Sequence, residues 1–128
     1  MNNKGQTLAL FVVILPVLLL LLVLIIDVGK LIVLKLELSN ISELVLDYGL
    51  DHLDDEDLTD DLVSLVDMNK DDIDKVHIYI IDNKIYINML HNNEGLFKKV
   101  SNITIFTVKT SYVGYIENEE KRIERLGD

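Results

Sequence analysis

The chain has 128 residues, no cysteine, a formal net charge of -10 and 49% hydrophobic residues. The absence of cysteine excludes disulfide staples and thiolate metal sites. The surplus of acid argues against nucleic acid and anionic lipid surfaces as partners, since both would repel it.

Residues 1–7 are short and polar. Leu8 to Ile26 (LALFVVILPVLLLLLVLII) then carry no charged side chain. A helix of about 19 such residues spans close to 30 Å, the thickness of a bilayer's hydrocarbon core. Lipid offers the backbone no hydrogen-bond partner and a helix satisfies its own, so the run predicts a transmembrane helix with membrane lipid as its first partner. Pro16, in the middle of the run, predicts a modest helix kink of the kind that transmembrane helices tolerate. The run is longer than the apolar core of a secretory signal, and no A-x-A cleavage site follows, which reads as an uncleaved signal anchor in the cell membrane. Lys30 and Lys35 balance the N-terminal positive charges, so the positive-inside count does not set the orientation. A short tail left in the cytoplasm while the long domain crosses gives a single-pass layout, N-terminus cytoplasmic and C-terminal domain extracytoplasmic.

The helical pattern continues through 27–53. Leu31, Leu34, Leu38, Ile41, Val45 and Tyr48 recur at spacings of three and four, with Glu37, Asn40, Glu43, Asp47 and Asp51 opposite. One helix is therefore expected from about Thr7 to about Leu53, half in lipid and half in water. The stripe reads as packing on the chain's own domain, since a coiled coil needs more heptads. Asp27 falls on the face of Leu31; a carboxylate at a membrane boundary either snorkels to water or docks a neighbouring subunit.

Residues 54–74 form an acidic connector with a short amphipathic helix expected over about Asp57 to Val66, its acids near the positive end of the dipole. Asp67, Asn69 and Asp71 copy the start of a calcium loop, but Asp72 stands where Gly is needed and Ile78 where the bidentate Glu should be. No metal is expected.

Residues 75–116 read as three strands. Lys75 to Ile81 and Lys84 to Leu90 flank Asp82-Asn83, a tight turn, with Val76, Ile78 and Ile80 facing the same way as Ile85, Ile87 and Met89. His91 to Gly95 is read as a loop, Leu96 to Val100 as a helical turn, and Ile103 to Ile116 as the third strand with a bulge at Gly114. The tail, 117–128, reads as a charged, frayed helix. The fold class is α+β: a long N-terminal helix packed on a small antiparallel three-stranded sheet.

No catalytic constellation is visible. His52, His77 and His91 are separate from one another, the serines lack a G-x-S-x-G context, and there is no Gly-rich phosphate loop. Acid pairs such as Asp54-Asp55 and Asp71-Asp72 read as solvated surface. The expectation is a non-enzyme with no cofactor.

The first 53 residues resemble the N-terminal region of the TadE/TadG-like proteins of tight-adherence (Tad, or Flp) pilus assembly. The residues that carry the resemblance are Lys4-Gly5, Leu15-Pro16, Asp27 followed by Gly29 and Lys30, and the stripe through Tyr48. The resemblance implies a pilin-like layout, a leader-peptidase site between Gly5 and Gln6, and subunit docking through Asp27, Gly29, Leu31, Leu34 and Leu38. Processed members carry Glu at the fifth position beyond the cut, and this chain has Leu10 there. That departure favours the uncleaved, TadG-like reading. The implied function is a membrane-anchored structural component of a Tad/Flp pilus or related secretion apparatus, with the inner-membrane platform and other pseudopilins as partners. Alternative expectations are an anchored acidic domain that binds a cationic ligand or wall component, and a minor pseudopilin of a type IV pilus or type II secretion-like system.

Overall fold

The computed structural model describes residues 3–93 and 106–127. The first element, α1, is a single helix over Asn3–Asp51, with Pro16 inside it. Its 49 residues extend about 74 Å at the helical rise. From Leu8 to Leu22 every residue is exposed, and the most apolar 18-residue window has none of its residues buried. A run this long and apolar on every face makes α1 a candidate single membrane span.

Burial along α1 starts at Asp27 and then follows Leu34, Leu38, Ile41, Ser42, Val45, Leu46, Gly49 and Leu50. The expected stripe holds as far as Val45, but Tyr48 is 38% exposed. Two causes combine. A stripe read at 3.5 residues per repeat drifts about 20° per heptad around a helix of 3.6 residues per turn. The second helix, α2 (Leu58–Asn69), also packs beside the end of α1, turning Leu46, Gly49 and Leu50 into the core. A Cβ on Gly49 would stand 2.7 Å from Ile85 Cδ1 and 3.2 Å from Leu62 Cδ1. Glycine lets the two helices and the sheet meet here without displacing the ends of the Ile85 and Leu62 side chains.

Helix α2 runs one turn beyond the expected Val66. Leu58, Leu62 and Val66, spaced by four, are its buried edge, and Asp60 and Asp61 lie in its first turn. The strands are β1 (Lys75–Ile81), β2 (Lys84–Asn93), β3 (Phe106–Glu117) and β4 (Glu120–Arg125), in the order β1-β2-β3-β4, each antiparallel to its neighbour. Asp82 and Asn83 both have positive φ, 51° and 62°, the conformation a two-residue hairpin needs. The register pairs Val76 with Met89, Ile78 with Ile87 and Ile80 with Ile85. Helix α1 covers this inner face along β2, β3 and β4, and α2 covers it at β1.

The sheet has four strands where the sequence suggests three. The tail expected as a frayed helix turns at Asn118 and Glu119, both at positive φ, and returns as β4 along β3. Ile123 faces Gly114 and packs on the core, while its charged neighbours are exposed. One apolar side chain among exposed charges is enough for an edge strand, but it leaves no period for a sequence reading to detect. His91 to Asn93 continue β2 and are not a loop. The register passes unbroken through Gly114, between Ile85 and Ile123, so there is no bulge. A Cβ there would lie 3.3 Å from Leu46 Cβ, and glycine serves to let α1 approach β3. The expected turn over Leu96 to Val100 and the start of the third strand at Ile103 lie outside the described residues.

Candidate functional site

The residues that the resemblance marks for docking divide between two faces of α1. Asp27, Leu31, Leu34 and Leu38 are spaced by four, three and four, which keeps them on one face. Leu34 and Leu38 belong to the core of the α+β domain, Leu31 packs at its margin, and Asp27 is 0% exposed. These four are engaged within the subunit. Gly29 lies on the accessible side, in a shallow groove of about 430 Å³ lined by Leu21, Leu24, Ile25, Val28 and Ile32. A Cβ on Gly29 would meet nothing within 4 Å, so its small size is not needed by the subunit's own packing. Val28, Ile32, Val33 and Leu36 remain 46–64% exposed, continuing the apolar surface of the span beyond Asp27.

Gly5 and Gln6 sit in the first turns of α1 and are exposed, and Pro16 is exposed within the continuous helix. The acidic segment Asp51 to Asp61 caps the end of the helix farthest from the span, and each of its carboxylate residues is exposed. Among the described residues no group of three or more His, Asp or Glu is arranged to hold a metal ion. Asn69, expected in a loop if the calcium pattern were real, ends α2 and donates from Nδ2 to the Leu65 carbonyl at 2.8 Å.

The histidines lie on different elements. The His52 ring stacks on Tyr48 at 4.1 Å, with Nδ1 2.8 Å from the Tyr48 carbonyl. The His77 ring is 5.1 Å from Tyr79. His91 Nδ1 lies 3.5 Å from Asp74 Oδ2, and that oxygen accepts from the Asn92 amide at 2.6 Å. The hydroxyl of Thr110 is buried on the inner face of β3 with no hydrogen-bond partner among the described residues.

Two ion-pair clusters are not legible in the sequence. Lys70, just past α2, reaches Asp72 at 3.0 Å and Glu37 on α1 at 3.7 Å. The hydrogen bond to Asp72 raises the Lys70 pKa above its ordinary 10.5, against desolvation that lowers it, with Glu37 adding to the rise. The same bond holds the Asp72 carboxyl below its ordinary 3.8. Lys121 on β4 reaches Asp51 at 2.7 Å and Asp47 at 3.1 Å, and these bonds raise its pKa. Both clusters tie neighbouring elements to the C-terminal half of α1. The only sequence signal for them is the row of acids opposite the apolar stripe.

No family model, curated protein or solved structure matches this chain.

Proposed function

We propose that the chain is a single-pass, membrane-anchored structural component of a Tad/Flp-type pilus or related secretion apparatus, TadE/TadG-like, with its N-terminus in the cytoplasm and its β domain outside. The observation that carries the reading is the single helix Asn3–Asp51, apolar on every face through the span and then amphipathic as the spine of a small α+β domain. That combination, together with Lys4-Gly5, Leu15-Pro16 and Asp27-Val-Gly29, supports a pilin-like layout. Asp27, Leu31, Leu34 and Leu38 hold the spine to its own domain, and the accessible groove around Gly29 is the surface offered to a neighbouring helix. Small residues permit close backbone approach where lipid supplies no hydrophobic driving force between helices. Leu10 in place of Glu supports an anchor that keeps its first residues.

The test is affinity purification of the full chain from detergent-solubilised membranes. Recovery of a secretion ATPase or inner-membrane platform protein, with a mass spectrum beginning at Met1 or Asn2, is the expected result. A chain that stays in the aqueous fraction after ultracentrifugation, or a gene neighbourhood with neither partner, refutes the proposal.

A further inference from the structure

We infer that the open edge of β1 docks an extended segment of another polypeptide, which adds a strand to the sheet beyond Val76, Ile78 and Ile80. β1 is an outer strand with only β2 beside it. The two-residue turn at Asp82 and Asn83 makes Ile81 and Lys84 a hydrogen-bonded pair, and bonded pairs alternate along an antiparallel ladder. His77, Tyr79 and Ile81 therefore bond to β2, while the amides and carbonyls of Val76, Ile78 and Ile80 point away from it. Among the described residues no backbone hydrogen bond from another element reaches these three. Their N–H and C=O groups repeat every second residue, at about 7 Å. One ligand chemistry matches that repeat, the backbone of another strand.

The two edges of the sheet are built differently. β4, at the far edge, is charged at every position but Ile123, which guards an edge against stray strands. β1 carries one charge, Lys75, and no proline, and its register runs without a bulge from Lys75 to Ile81. Ile80 is 37% and Ile81 53% exposed, so apolar surface is left for an added strand to cover. On the outer face, the rings of His77, Tyr79 and Tyr86 form a ladder, with Tyr86 stacked on Tyr79 at 4.8 Å. Outward side chains of the added strand extend it.

A second copy fits this edge poorly. β3 runs along α1, with Gly114 beside Leu46 and Leu50 and Tyr112 in one groove with Ser39 and Glu43. Two copies joined β1 to β1 pair antiparallel about an axis normal to the sheet, which turns one apolar span end over end and away from the bilayer of the other. Joined to a neighbour's β4, the edge would set apolar side chains against charges. The occupant is therefore a different polypeptide, apolar at alternate positions. Its ends are basic, because acid is in surplus at both ends of β1. At the start Asp71, Asp72 and Asp74 outnumber Lys70 and Lys75. At the finish Asp54 and Asp82, which line one groove with Lys84, outnumber that lysine. The docking edge does not rest on the pilus reading; only the exclusion of a second copy uses the membrane span.

The experiment uses the full chain in phosphatidylcholine nanodiscs and a synthetic peptide as long as β1, of alternating valine and threonine with a lysine at each end. N-methylation of its threonines prevents self-association. Amide hydrogen exchange read by NMR is the assay. Without peptide, the amides of Val76, Ile78 and Ile80 should exchange faster than those of His77 and Tyr79. At saturation they should slow by at least about tenfold. Moving the N-methyl groups to the valines, whose backbone meets β1 when their side chains turn toward the core, should abolish the protection. Ile80→Pro, which removes an outward donor, should weaken binding by about tenfold. Ile80→Lys, which keeps the backbone donor and repels the basic peptide, should also weaken it, with the amide pattern elsewhere unchanged. Protection of Val76, Ile78 and Ile80 before peptide is added overturns the proposal, as does protection that rises with the number of copies per nanodisc. No slowing at saturation, or equal binding of a peptide ending in glutamate, also overturns it.

Discussion

The rotational setting of α1 against the sheet can be tested with two leucines two positions apart. Leu46 is 0% exposed and its Cβ and Cδ2 lie 3.3 and 3.4 Å from the place where a Gly114 Cβ would stand, whereas Leu44 is 50% exposed. Leu46→Ala removes three buried carbons, about 2.4 kcal/mol at about 0.8 kcal/mol each. The cavity left behind brings the cost to about 3 kcal/mol, inside the range for buried leucines. Leu44→Ala should change stability by less than about 0.5 kcal/mol. Tyr48→Ala should resemble Leu44→Ala more than Leu46→Ala, although the stripe read from sequence includes Tyr48. The assay is urea unfolding of the full chain in zwitterionic micelles, followed by tyrosine fluorescence because the chain has no tryptophan. With a denaturant slope of about 1–1.5 kcal/mol per molar for so small a domain, Leu46→Ala should lower the midpoint by about 2–3 M. Leu46→Val gives a milder variant should the alanine form fail to fold. A midpoint for Leu44→Ala as low as that for Leu46→Ala would refute this packing.

Gly114→Val should destabilise the domain by about 1–3 kcal/mol through overpacking against Leu46, visible as a lower urea midpoint; a midpoint equal to wild type would mean that α1 does not approach β3 as described. The Lys70–Asp72 pair should contribute to stability on a plateau bounded on both sides. The raised Lys70 pKa means that its contribution is complete below about 10.5 and is lost as pH climbs through the higher folded value, and the lowered Asp72 pKa means that its contribution is present above about 3.8 and is lost as pH falls through the lower folded value. Lys70→Met should therefore reduce stability at neutral pH and converge on wild type at both extremes, and a constant difference from pH 3 to pH 11 would contradict this. In the span, one arginine at Leu18 costs about 3 kcal/mol, less than the summed apolar contribution of about 19 residues at a few tenths each. The single variant should remain in the membrane pellet, while Leu18→Arg/Leu21→Arg/Leu22→Arg together should move to the soluble fraction or be degraded.

What sequence reasoning reaches and what it misses follow one physical line. The long apolar run, the continuous helix, the Asp82-Asn83 hairpin and the shared inner face of Ile78 and Ile87 rest on strong local signals: unbroken apolarity, turn chemistry and alternation. β4 escapes because Ile123 is its only inward apolar side chain, and charged residues fit an edge strand as well as a helix. Gly114 misleads because a glycine required by a helix crossing behind the strand looks, along the chain, like one that marks a bulge. The docking residues form one group by their order in the chain, but burial separates Gly29 from the other four.

Because the core of the domain is assembled on the same uninterrupted helix as the candidate span, its compass bearing is geared to the roll of that apolar segment. Insertion of one residue between Ile26 and Leu34 would swing the β domain by about 100° and lift it by about 1.5 Å. The spacing between those two positions thus sets which flank of the domain, the outer face of the sheet or its edge at β4, is turned toward whatever stands alongside.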